Sequence, residues 1–188
     1  MLRFAFIITI FFFSFINKNH ALSRMDTNLV RASIFFVVIA DYFLIIDYQH
    51  HEIGISFFIL AQLSQYLRFT GIKTVLKTIV FLPIIFLIPE SVIPDALGPV
   101  LEVRFALSYA IVLFATFCGA IYAFKNKKYA NPNRYFIVIA MAFFIIADSF
   151  VVLYNIGPAE HQAVFLHILW IFTLPAHILL SLSRIKLT

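Results

Sequence analysis

Phe35-Phe36-Val37-Val38-Ile39-Ala40-Asp41-Tyr42-Phe43-Leu44-Ile45-Ile46 sets one carboxylate inside a run that is otherwise apolar or aromatic. The phrase returns as Phe143-Phe144-Ile145-Ile146-Ala147-Asp148-Ser149-Phe150. A carboxylate in a membrane-spanning helix costs at least about 2.5 kcal/mol on insertion scales, so it faces a protein interior or water and is a functional candidate by default. Two matching cases make Asp41 and Asp148 the leading candidates for a working pair. The plainer alternative is a neutral, hydrogen-bonded structural Asp at each position, or a chance repeat in a chain rich in Phe and Ile.

Composition sets the environment of those two groups. Of 188 residues, 63% are hydrophobic and 12% charged, and the mean hydropathy is +0.99. Almost any part of such a chain would be insoluble if exposed to water, so the expected fold class is all-α, a polytopic transmembrane helical bundle in the cell membrane. One integral membrane domain over residues 1–188 leaves no room for a soluble catalytic domain, and any chemistry is intramembrane. The formal net charge of +5 would suggest nucleic acid in a soluble chain. Here the cations fall between apolar runs and read as topology determinants, so the expected partner is the lipid bilayer and not nucleic acid. The lone Cys118 excludes a disulfide framework and a Cys-based metal site, and reads as a small packing residue.

The apolar runs are 2–16, 29–46, 53–67, 75–88, 103–124, 135–154 and 163–182, seven in all. Alternate loops then collect Lys18, Arg24, Arg31, Arg68, Lys73, Lys77, Lys125, Lys127, Lys128, Arg134, Arg184 and Lys186 on one side, leaving Arg3 and Arg104 on the other. By the positive-inside rule the N-terminus is outside and the C-terminus cytoplasmic. A signal peptide with Ala21-Leu22-Ser23 as its cleavage site is the competing reading of the first run. It would invert every later span and put the Lys125-Asn126-Lys127-Lys128 loop outside, so the span is preferred.

Under this arrangement Asp41 and Asp148 lie at similar depth, about two thirds of the way from the cytoplasmic side, and can share a cavity. Gln62, Tyr109, His167 and Trp170 fall near the same level. Gln62, Tyr109 and His167 are the candidates for binding substrate or water, although a histidine satisfied by its own backbone and a Tyr or Trp used for packing are the bland alternatives. His50-His51 reads as part of a solvated loop, because adjacent histidines diverge and no second spaced pair accompanies them. Pro89 to Pro99 reads as a surface connection, and Pro83 and Pro175 as kinks within spans. No phosphate loop, nucleophile elbow, zinc motif or dinucleotide fingerprint occurs.

The stretch from Arg31 to Phe69, with A-D-Y-F at Asp41 and F-F-I-L-A-Q-L-S-Q-Y-L-R-F after it, resembles the YhhN family of membrane proteins, which includes lysoplasmalogenases. So do N-R-Y-F-I-V-I-A-M-A-F-F-I-I-A-D-S-F-V-V-L and W-I-F-T-L-P-A-H-I-L-L-S-L-S, which carry the likeness through His177. The resemblance implies a compact helical bundle that hydrolyses the vinyl ether bond of lysoplasmalogens, with Asp41 and Asp148 as the essential acidic pair. Family members commonly have eight spans, with a Lys-Pro near the second. This chain shows seven and no Lys-Pro, as if the first were missing. Where relatives often carry His and Tyr in the third-span equivalent, Gln62 and Gln65 stand, with Tyr66 adjacent. Glutamine cannot titrate but can hydrogen-bond a substrate.

The chemistry suits an aspartate pair independently of the family. Protonation of the alkene carbon makes an oxocarbenium ion; water adds, and the hemiacetal collapses to a fatty aldehyde and a glycerophospho-alcohol. Two carboxyls sharing a low-dielectric site separate their titrations, so that one serves as acid while the other is ionised. The scheme requires no metal and no cofactor. A small proton-coupled transporter or carrier would use the same intramembrane acids, and remains the alternative.

Overall fold

The computed structural model describes residues 2–15, 22–47, 49–94 and 97–185. Ala21, Lys18, Asp95 and Lys186, which entered the sequence argument, lie outside the described residues, as does the side chain of Arg3. Seven α-helices occur among the described residues: α1 (Leu2–Phe13), α2 (Arg24–Asp41), α3 (His51–Thr70), α4 (Ile72–Phe81), α5 (Val100–Lys125), α6 (Asn133–Ile156) and α7 (Gln162–Leu182). Each matches one apolar run. Length and apolarity sufficient to cross a membrane belong to four segments: 24–46, 100–125, 133–156 and 159–182. Among the described residues the protein is thus all-helical, and four of its helices have the length and apolarity of membrane spans.

The other three depart from the expectation of seven equal spans for identifiable reasons. α1 is a shorter apolar helix. α3 is long enough but carries Gln62, Gln65 and Arg68, all buried, on its inner face. The run 75–88, expected as one span, is instead a ten-residue α-helix followed by a 3-10 stretch over Leu82–Leu87. Pro83 lacks the N–H that would continue the α-helical ladder and stands at the start of that tighter coil.

Local sequence explains how the helices begin and where they turn. Ser23 caps α2 by accepting the Asp26 N–H at 3.0 Å, and Asp26 sits in the first turn, where the helix dipole favours an anion. A single residue, Gly71, joins α3 to α4 at φ 89°, a left-handed conformation that a β-carbon would oppose. Buried positions on α2 run Val30, Ile34, Val37 and Ala40 with Asp41, and on α6 Ile137, Met141, Phe144 and Ala147, so each Asp continues the inward stripe of its helix.

α2 packs along α3 and α1, α3 along α5, α5 along α6 and α6 along α7, while α7 returns to touch α1 and α2. One core, containing Phe69, Leu113, Ala120, Ile137, Met141, Phe144 and Leu180, joins α3, α5, α6 and α7. A second, with Ile7, Ile10, Val30, Ile34, Val37 and Ala61, joins α1, α2 and α3. The outer faces remain apolar: Phe12, Phe35, Val80, Leu87, Phe114, Val152 and Ile171 are exposed, as suits a lipid solvent. Cys118, expected to pack inside, is exposed on α5, because it falls off the stripe of Val112, Thr116, Gly119 and Ala123.

Candidate functional site

Asp148 begins the site because its partner is defined. The Tyr109 hydroxyl, projecting from α5, donates to Asp148 Oδ2 at 2.6 Å, a length typical of a charge-assisted O–H···O bond. Gln62 on α3 lies beside the same hydroxyl. Three helices therefore converge on one carboxyl. The Thr116 hydroxyl on α5, which donates to the Val112 carbonyl of its own helix at 2.7 Å, also lies 3.3 Å from the Gln62 carbonyl. Phe58 packs its ring against Tyr109 at 5.9 Å between centroids.

Asp41 is buried, with 6% of its surface exposed, at the junction where α2 gives way to a π-helical turn over Tyr42–Ile46. Such turns insert a residue into the helix and often occur at functional sites. α3 approaches this junction closely at Gly54: a β-carbon there would lie 2.7 Å from Leu44 Cγ and 3.1 Å from the Ala40 carbonyl oxygen. Counting 1.5 Å per residue from the first turns of α2 and α6, Asp41 and Asp148 lie about 26 and 23 Å along their helices, so their depths agree within a turn. No hydrogen bond joins the two carboxyls among the described residues, and their helices pack in different parts of the bundle, α2 on α1 and α3, α6 on α5 and α7.

His167 does not join the site. It is exposed, with Nδ1 against the Ala163 carbonyl of its own helix, and lies about 80° round α7 from the inward-facing His177 at 100° per residue. His177 is buried edge-on against Phe144, 4.8 Å between ring centroids. His50 is exposed and contacts Asp47 at 3.1 Å. Among the described residues no three His, Cys, Asp or Glu side chains are grouped to hold a metal ion. A shallow apolar groove between α4 and α5, lined by Phe81, Leu107, Ile111 and Phe114, lies on the opposite side of α5 from Tyr109.

A second polar cluster, which the sequence pattern does not single out, lies at the cation-rich end. Arg68 Nε and Nη2 donate to the two oxygens of Asp26 at 2.8 and 2.9 Å. Nη1 reaches Ser183 Oγ at 2.9 Å, and the Tyr129 hydroxyl donates to Asp26 Oδ1 at 2.9 Å. Lys128 Nζ donates to the carbonyls of Arg68 and Phe69 at 2.8 and 3.1 Å, capping the end of α3. Asn133 Nδ2 ties α6 to the Ser183 and Ile185 carbonyls. In the sequence Arg68 reads only as a topological cation. The one available signal was Ser23-x-x-Asp26, an acidic helix start of the capping-box kind.

The fold and site thus define, among the described residues, an all-helical bundle with four helices long and apolar enough to cross a membrane and with carboxyl groups held between its helices. No family model, curated protein or solved structure matches the chain.

Proposed function

We propose that the protein is an intramembrane hydrolase of the YhhN type, acting on the vinyl ether bond of lysoplasmalogen-type lysophospholipids. In this reading all seven helices cross or enter the cell membrane, with the N-terminus outside and the C-terminus cytoplasmic. The observation that carries the reading is the Tyr109 to Asp148 hydrogen bond in the apolar bundle, at the depth of the buried carboxyl of Asp41. One carboxylic acid protonates the vinyl carbon and leaves an oxocarbenium ion. The other carboxyl, as carboxylate, takes a proton from the water that adds. Loss of the glycerophospho-alcohol from the hemiacetal then yields the aldehyde. Tyr109 and Gln62 orient Asp148 and offer hydrogen bonds to a polar substrate atom. No metal or organic cofactor enters this scheme.

The test is aldehyde release from a lysoplasmalogen by the purified protein in detergent. Asp41→Asn and Asp148→Asn should each lose about 10²- to 10⁴-fold in rate while melting near the parent temperature. Full release by a well-folded Asp148→Asn protein would end the assignment. A proton-coupled carrier is the second reading, favoured by the placement of α2 and α6 in separate parts of the bundle. It predicts no aldehyde in detergent and, in sealed vesicles, gradient-driven uptake that either Asn variant abolishes.

A further inference from the structure

We propose that Arg68, Gln65, Gln62, Tyr109 and Asp148 form one hydrogen-bonded relay through the bundle interior, closed between Gln65 Nε2 and Gln62 Oε1 by a single buried water. The proposal stands whatever reaction Asp148 serves. Gln62, Gln65 and Arg68 follow one another at three-residue intervals along α3, so they stack on one face about 4.5 Å apart in height. All three are buried, at 5%, 1% and 3% exposure.

Both ends of this stripe are anchored, and the anchors set the direction of every bond. Arg68 is a donor only, so Gln65 meets its Nη1 with Oε1, at 3.5 Å. That leaves Gln65 Nε2, a donor, buried and unpartnered. At the other end Tyr109 spends its proton on Asp148. Its oxygen can then only accept, so Gln62, which lies beside it, can offer only its amide nitrogen there. That leaves Gln62 Oε1, an acceptor, buried and unpartnered. A donor and an acceptor therefore stand on successive turns of the same helix face, each in need of the partner that the other requires. Buried polar atoms are rarely left so, and a water that accepts from one and donates to the other satisfies both. The completed chain points every N–H and O–H from the guanidinium towards the carboxyl of Asp148. Bonds aligned in this way reinforce one another. Gln62 and Gln65 become positioning residues for Asp148.

Gln62→Met and Gln65→Met, which keep volume and remove polarity, test the proposal alone and combined. Each single variant orphans the remaining amide, so each should lower the melting temperature, and the double variant should melt above the sum of the two shifts, near the better single. Additive shifts overturn the shared water. Infrared spectra of the parent in D2O and in ¹⁸O-labelled D2O should contain an isotope-sensitive O–D band from a buried water that both variants lose. No such band, or one that survives, also overturns it. If a Met variant does not fold, Gln62→Asn, which keeps the amide but shortens its reach, is read against the same band. Finally, the carboxyl band of Asp148, identified by its loss in Asp148→Asn, should shift in Gln65→Met, a residue with no contact to Asp148. An unmoved band shows that the water, if present, is local and that there is no relay.

Discussion

Arg68 is the residue with most at stake, because its guanidinium is buried and Asp26 supplies its counter-charge in two hydrogen bonds. Asp26→Ala strands the cation and should cost about 3–5 kcal/mol in an unfolding measurement in mixed micelles. Replacing both partners, as in Asp26→Leu with Arg68→Met, should recover much of that loss, because no charge remains unpaired. Tyr129 in the same cluster gives the stability a pH dependence. Burial raises its hydroxyl above the ordinary 10.0, with Arg68 opposing and Asp26 reinforcing the shift. Since the folded value is the raised one, the contribution is complete below pH 10.0 and is lost as the pH climbs towards the folded value. Melting temperatures should fall more steeply for the parent than for Tyr129→Phe as the pH is raised from about 9 to about 11. In the proposed site, Tyr109→Phe deletes one bond to a carboxylate, worth about 1.5–3 kcal/mol or roughly 10- to 100-fold in rate. Unchanged aldehyde release would remove Tyr109 from the site.

At the scale of elements, α3 is the organiser: it packs between α2 and α5 and carries both the polar stripe and the ion pair. Its close approaches depend on small residues on itself and its neighbour. Gly119 on α5 brings that helix against Tyr66 and Thr70, where a β-carbon would meet Thr70 Cγ2 at 2.9 Å and Tyr66 Cδ2 at 3.1 Å. Gly119→Val should therefore cost about 1–3 kcal/mol by overpacking, visible as a lower midpoint in the same unfolding measurement. Helix existence was readable from the apolar runs, since each run has its helix. Helix type was less so. The sequence places Pro83 as a kink inside a span, yet the chain leaves α-helical geometry there, because the lost N–H is not the only constraint and few neighbours pack on α4 to hold it straight. The π turn after Asp41 has no sequence signature of its own; α3 comes close to it at Gly54, where a β-carbon would lie 2.7 Å from Leu44 Cγ.

For the whole molecule, the helix connections bring Arg24, Lys73, Lys125, Lys127, Lys128 and Arg134 to one end of the bundle and Glu52, Glu90, Glu102 and Glu160 to the other. With that charge division the positive-inside rule predicts that a reporter fused after Thr188 is cytoplasmic and that a tag beside Pro94 is reached from outside. Labelling of the Lys125 to Lys128 loop from the outside of intact cells would overturn that topology.

The amino-acid sequence by itself determined the membrane character, the number of helices and the two inward carboxyls, because apolar run length and a solitary acid in such a run are local properties that lipid enforces on any tertiary arrangement. Only the tertiary structure decided which polar residues meet. Tyr109 reaches Asp148 while His167, placed at the same level by counting, stays outside, since depth along a helix says nothing about rotation round it. Asp26 and Arg68, 42 positions apart, pair for the same reason: helix ends that are remote in sequence come together only when the bundle closes.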